Sequence, residues 1–216
     1  MAARGLFITL EGVEGSGKTT QAAVLCAALR KSGRRVIMTH EPGGTRAGEL
    51  IRKIFLDPDV SLHPAAELFL VLADRAEHVR EKLTPALEAG EIVISDRYSD
   101  STTAYQGYGR GFDLKLLAEL NRLASDGVTP DLTVVLDLPV DVGLARTRKR
   151  AAGSARGADR FEGEQLEFHR RVREGFLDIA RAEPARVVVI DAEPAVETVS
   201  GEIRRVVDAA IARVCP

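Results

Sequence analysis

The chain has 216 residues, 45% hydrophobic and 29% charged, long enough for one sizeable core and expected to form one domain over residues 1–216. Thirty basic residues against thirty-two acidic ones leave a net charge of −2, which gives no global attraction to nucleic acid or to an anionic membrane. Cys26 and Cys215 have no metal or redox spacing, no apolar run approaches membrane-spanning length, and residues 1–4 carry no signal-peptide core, so a soluble, unprocessed, cytoplasmic protein is expected.

The first apolar run, from Leu6 to Leu10, breaks into glycines and then into a helix-forming segment. Gly12, Gly15 and Gly17 with Lys18 and Thr19 fit G-x-x-x-x-G-K-[ST], a phosphate-binding loop between strand and helix. The chemistry needs these types. Glycines let the backbone N–H groups of residues 12–20 (Gly12, Val13, Glu14, Gly15, Ser16, Gly17, Lys18, Thr19, Thr20) curl around a polyphosphate, Lys18 reaches its terminal phosphates, and the Thr19 hydroxyl ligates Mg²⁺. The positive end of the following helix dipole points at the same anion.

Helical spacing then covers residues 19–31, and Ser32-Gly33 stops it. A short strand over 35–39 ends in the breaker-rich loop His40-Glu-Pro-Gly-Gly-Thr45, followed by a helix over 47–55. Pro64 opens a long helical pattern to Leu83 that is apolar on more than one face, which suggests contact with a partner subunit. A buried strand over 91–95 ends in Asp96-Arg97-Tyr98, and the stretch to Gly111 reads as a loop dense in hydroxyls, glycines and aromatic rings, suited to a flat polar ligand bearing a sugar. A helix over 113–124, a strand over 132–138 and a helix over 141–150 come next. Residues 146–160 hold Arg146, Arg148, Lys149, Arg150, Arg156 and Arg160 around a small-residue centre, the composition of a basic lid. A helix over 161–182, a strand over 186–190 and a helix over 195–214 close the chain. Alternating strands and helices specify an α/β fold: a parallel sheet covered by helices on both faces.

Four segments together resemble the thymidylate kinase family: Glu11-Gly-Val-Glu-Gly-Ser-Gly-Lys-Thr-Thr20, Glu41-Pro-Gly-Gly-Thr45, Ala73-Asp-Arg75 and Ile94-Ser-Asp-Arg-Tyr-Ser-Asp-Ser-Thr-Thr-Ala-Tyr-Gln106. The last is the most specific, since other nucleoside monophosphate kinases share the first motif and not this one. The resemblance implies the P-loop nucleoside monophosphate kinase fold with a five-stranded parallel sheet, ATP-dependent phosphorylation of dTMP to dTDP, Mg²⁺ as cofactor and a homodimer. It puts Lys18 and Thr19 on the donor phosphates, Thr19 and Asp96 on the metal, and Glu11 and Arg97 between donor and acceptor. It also puts Arg75 on the base, Thr102 at the thymine edge and Tyr105 against the deoxyribose. Two positions depart from the family pattern: His40 stands where arginine is usual, and Val71 where a phenylalanine commonly stacks on the base. The phosphate loop has no basic residue at 13–16, so the resemblance assigns the catalytic arginine to the lid, as Arg156 or Arg150. Rival readings are a kinase for another nucleoside monophosphate or deoxynucleoside and a nucleotide-dependent switch; the chain lacks a guanine-reading Asn-Lys-x-Asp.

Overall fold

A computed structural model describes residues 4–152 and 160–214. Five strands form one sheet: β1 (Phe7–Glu11), β2 (Val36–His40), β3 (Ile92–Asp96), β4 (Leu132–Asp137) and β5 (Val187–Asp191), all parallel in the order β2-β3-β1-β4-β5. The central strand, β1, is buried along its whole length because neighbours and helices cover it on every side. The helices are α1 (Lys18–Lys31), α2 (Arg46–Leu56), α3 (Pro64–His78), α4 (Thr84–Glu88), α5 (Ser99–Thr102), α6 (Leu114–Ala124), α7 (Val140–Ala152), α8 (Leu166–Ala182) and α9 (Val196–Val214).

The two faces of β1 differ, since side chains alternate along a strand. Leu6, Ile8 and Leu10 enter the main core with Leu25, Leu29, Val134 and Leu136. Phe7 enters a smaller cluster with Val79, Leu83, Leu87 and Tyr98. Farther along that second face come Thr9 and Glu11, and the packing turns polar. Thr9 Oγ1 lies 2.8 Å from Thr133 Oγ1, and Thr133 donates to Asp100 of α5 at 3.0 Å. Arg186 closes this network with two bonds to Asp100, of 2.7 and 3.1 Å. The polar patch therefore ties α5 to the middle of β1, the start of β4 and the residue that precedes β5.

Three segments differ from the sequence reading. The pattern begun at Pro64 is helical throughout but widens into π turns at Val79–Leu83 before α4. Pro85 has no N–H to return to the carbonyl of Glu81, so the regular ladder is broken there. The stretch after Tyr98, expected as a loop, is helical as α5 and the π turns Thr103–Gly109. Its glycines serve close packing more than turning. A Cβ on Gly107 would sit 2.6 Å from Leu114, and one on Gly109 would sit 2.6 Å from Phe168. Only Gly111, at φ +83°, ends the segment by a left-handed turn. Finally, α8 begins at Leu166, five residues after the expected start, because residues 160–163 form turns held by Arg160 N–H to Leu56 O at 3.2 Å.

Candidate active site

The phosphate loop leaves β1 at Gly12, whose φ of +135° and approach to Leu136 O, 2.5 Å from where a Cβ would stand, admit only glycine. Gly15, at φ +73°, presses equally closely on the Gly143 carbonyl of α7. Inside the loop, Lys18 Nζ donates to Gly12 O at 2.9 Å, Val13 O at 2.8 Å and Ser16 Oγ at 3.3 Å. Burial, and after it the Arg97 guanidinium, brings the ammonium down to about 8. Gly17 caps α1, while Thr19 and Thr20 are exposed on its first turn. The Thr19 hydroxyl donates to Asp96 Oδ2 at 2.5 Å, so the end of β3 and the start of α1 share one point.

Arg97 follows at φ +72°, a conformation that side chains rarely adopt and that the surroundings here hold in place. Its N–H donates to Leu10 O at 3.0 Å, and its carbonyl accepts from Ser95 Oγ at 2.7 Å. The guanidinium donates to Gly12 O, Ser101 Oγ, Glu14 Oε1 and Tyr105 Oη at 3.0–3.2 Å and lies 4.9 Å from the centre of the Tyr105 ring. Tyr105 donates its hydroxyl to the same Glu14 oxygen, and His169 Nδ1 lies 3.3 Å from the other. Burial opposes the charge on Glu14, yet His169, Arg97 and Lys18 together draw the carboxyl down to about 2. Glu11 is wholly buried: Oε1 accepts from Tyr98 N at 2.7 Å and Oε2 from Ser101 Oγ at 2.6 Å. Burial, then the charge of Asp100, raises its proton affinity.

Arg75 projects from α3 and is only 2% exposed. Glu41, from the loop after β2, accepts from its Nε at 3.0 Å, Asn121 from Nη1 at 2.6 Å and Thr102 from Nη2 at 3.1 Å. Glu41 also meets His78 Nδ1 at 2.8 Å, and Thr39 meets the other ring nitrogen at 2.7 Å. A cleft of about 1130 Å³ runs across all these groups, lined by Lys18, Thr19, Asp96 and Arg97 at one end and by Val71, Arg75, Thr102, Tyr105 and Gln106 at the other. His40 lines it too, with Nε2 3.0 Å from Glu49 Oε1. Phe69, on the far side of α3, is 63% exposed, so it does not replace the aromatic ring absent at Val71.

Of the predicted site residues, Glu14, Gly15, Lys18, Thr19, Val71, Arg75, Asp96, Arg97, Thr102 and Tyr105 line the cleft, whereas Glu11 is buried behind it and Val13 packs in the core. Arg150 of α7 lines the cleft and donates to Glu162 at 2.9 Å, whereas Arg156 lies outside the described residues. Sequence reasoning missed Glu14 as the partner of Arg97, and Asn121, Glu67 and Phe161 altogether. A signal existed for two of them. Glu67, Val71 and Arg75 recur at every fourth position of α3, and Asn121 stands four residues after the buried Leu117, so each polar group falls on a buried stripe.

The family model described as thymidylate kinase matches residues 10–203. The chain is 55% identical to thymidylate kinase of Solidesulfovibrio magneticus, over 94% of this chain and 98% of that one. It is 52% identical to thymidylate kinase of Deinococcus radiodurans, over 93% and 95% of the two chains. The crystal structure of thymidylate kinase from Ehrlichia chaffeensis superposes with a TM-score of 0.75 at 36% identity, covering 94% of this chain and 99% of that one. On sequence and fold alike, the chain belongs to the thymidylate kinase family.

Proposed function

We propose that the cleft joins ATP to dTMP and transfers the γ-phosphoryl group to give dTDP, the reaction of this family, with Lys18 and Arg97 as the principal catalytic cations. The observation that carries this assignment is that the phosphate loop, Arg97 and the Arg75–Thr102 pair line one continuous cleft. Two polyanions must approach each other, and at about 4 Å with an effective dielectric near 20 each pair of unit charges contributes about 4 kcal/mol. Cations held in advance reverse that repulsion, so the task is positioning and neutralisation more than covalent chemistry.

Lys18 exchanges its loop carbonyls for donor phosphate oxygens, while the loop N–H groups of residues 12–20 and the start of α1 cradle the rest. Arg97, already aimed between the loop and Tyr105, spans donor and acceptor phosphates. Glu11 acts one layer back: by holding Tyr98 N–H and Ser101 it fixes the backbone turn that presents Arg97. Tyr105 packs against the deoxyribose, and Arg75, Thr102 and Val71 receive the base. Arg156, with Arg150 as the alternative, supplies positive charge to the transferring group from a lid spanning about 146–160.

Mg²⁺ fits Thr19 and Asp96. Their oxygens adjoin where the end of β3 meets the start of α1, so two protein oxygens would leave the remaining ligand positions to phosphate and water. When bound, Mg²⁺ neutralises charge on the donor phosphates. Accordingly, dTDP formation should require Mg²⁺, and Asp96→Asn should raise the Mg²⁺ concentration giving half-maximal rate at least tenfold; an unchanged requirement contradicts the metal assignment.

The proposal includes a homodimer, no nucleic-acid partner and a cytoplasmic setting for one domain. Leu50 and Ile54 of α2, Phe69 of α3 and Leu123 of α6 are exposed, and α3 packs against both α2 and α6. An apolar surface of that kind suits a second copy. No helix among the described residues is long and apolar enough to cross a membrane.

A further inference from the structure

One carboxylate near the cleft has no part in that reaction scheme. Glu67, on α3, has no exposed surface, yet four donors converge on it. Gln106 Nε2 donates to Oε1 at 2.8 Å and Arg110 Nε at 3.3 Å; Arg110 Nη2 donates to Oε2 at 3.1 Å and Arg160 Nη1 at 2.9 Å. Glu67 thus joins α3, the π turns and Arg160 at the last position of the lid segment. Its side chain lies four positions before Val71 and eight before Arg75, on the stripe that faces the cleft.

The consequence concerns Gln106, which lines the cleft and is 2% exposed. A glutamine amide has one donating and one accepting end, whereas a carboxylate paired with two guanidiniums only accepts. The NH₂ end of Gln106 must therefore face Glu67. The Gln106 backbone carbonyl accepts from Phe112 N–H at 3.1 Å, but among the described residues nothing donates to the side-chain Oε1, so this acceptor remains for a ligand. We propose that Glu67 is a positioning residue for base selection: by fixing the Gln106 amide with its carbonyl toward the acceptor base, it favours a pyrimidine whose ring N3 carries a hydrogen and disfavours cytosine, whose N3 is itself an acceptor. This rests on the proposed assignment of that end of the cleft to the base.

Glu67→Gln tests it by reversing the polarity. The amide oxygen of Gln at 67 should stay with the two shorter bonds, from Arg110 Nη2 and Arg160 at the Oε2 position, which gives up the 3.3 Å bond from Arg110 Nε and puts its NH₂ where Oε1 was. Gln106 must then turn its own carbonyl toward residue 67 and present NH₂ to the cleft. The expected result is a fall of at least tenfold in the kcat/KM ratio of dTMP to dCMP, with dCMP rising in absolute terms. Gln106→Met should also lower the ratio, and adding Glu67→Gln to it should change the ratio no further. A role in stability alone would lower both acceptors together and leave the ratio unchanged, which overturns the proposal. Should Glu67→Gln fail to fold, the wild type decides: the Gln106 side-chain NH₂ protons, assigned by NMR from their absence in Gln106→Met, should exchange slowly without nucleotide, and rapid exchange overturns the proposal. A wild type that makes no dTDP from dTMP contradicts the proposed function; one that makes it, with a ratio insensitive to these changes, contradicts this inference alone.

Discussion

Glu14→Gln separates the charge on Glu14 from its shape. The carboxyl is drawn from an ordinary 4.5 to about 2 against the pull of burial, by His169, Arg97 and Lys18. A folded-state value below the unfolded one contributes stability that is complete above pH 4.5 and is lost as the pH falls through 2. The 2.5-unit difference between those values corresponds to roughly 3 kcal/mol at neutral pH and, by the same linkage, about 1.4 kcal/mol at pH 3. Glutamine approximates the protonated form, so wild type minus variant isolates this contribution and cancels other titrations. Urea unfolding at pH 7, 5, 4 and 3 should therefore give a difference near 3 kcal/mol at the two higher values that shrinks to about half at pH 3. A difference constant with pH, or one growing on acidification, would refute the claim that the Arg97–Tyr105–Glu14 cluster is held by charge.

Lys18→Ala should lower kcat more than the KM for dTMP and leave the fold intact; retention of more than about a tenth of wild-type kcat, near 1.4 kcal/mol, would remove Lys18 from its role. Arg156→Ala should cost on the order of 10²-fold in kcat and barely alter thermal stability, with Arg150→Ala the weaker variant; unchanged turnover in both and in the double variant contradicts a lid arginine. Replacing Tyr105 by Leu should lower the preference for dTMP over its ribonucleotide, whereas Tyr105→Phe should keep it, as compared by kcat/KM for both acceptors; an unchanged ratio in the Leu variant would make the ring core packing alone. Leu123→Glu should shift the sedimentation coefficient from that of a dimer to that of a monomer, and no shift would place the contact elsewhere.

The strand positions, the parallel sheet they imply and the phosphate loop were legible because each depends on local signals: aliphatic runs five or six residues long, glycines at fixed offsets, and a loop after each strand. The helical course of residues 99–109 was not. Gly107 and Gly109 look like turn residues in sequence, and only the approach of Leu114 and Phe168 shows them to be contact points between helices. The roles of single site residues were legible only in part. Glu11 beside a phosphate loop suggests a ligand contact, but its hydrogen bonds go to Tyr98 and Ser101, eighty-seven and ninety residues away in sequence. The Arg97–Glu14 pair and the convergence of Arg110 and Arg160 on Glu67 are likewise long-range, and no spacing rule reaches them.

The central claim is that one cleft holds ATP and dTMP and passes a phosphoryl group between them. Offering ATP and Mg²⁺ with dTMP, dUMP, dCMP, dGMP, AMP and ribothymidylate in parallel, and separating the nucleotides by chromatography, tests it most directly. The account predicts dTDP as the dominant diphosphate, a smaller yield from dUMP because one methyl contact discriminates modestly, and little from the others. ATP turnover independent of any monophosphate, or a diphosphate made faster from another acceptor than from dTMP, would contradict it.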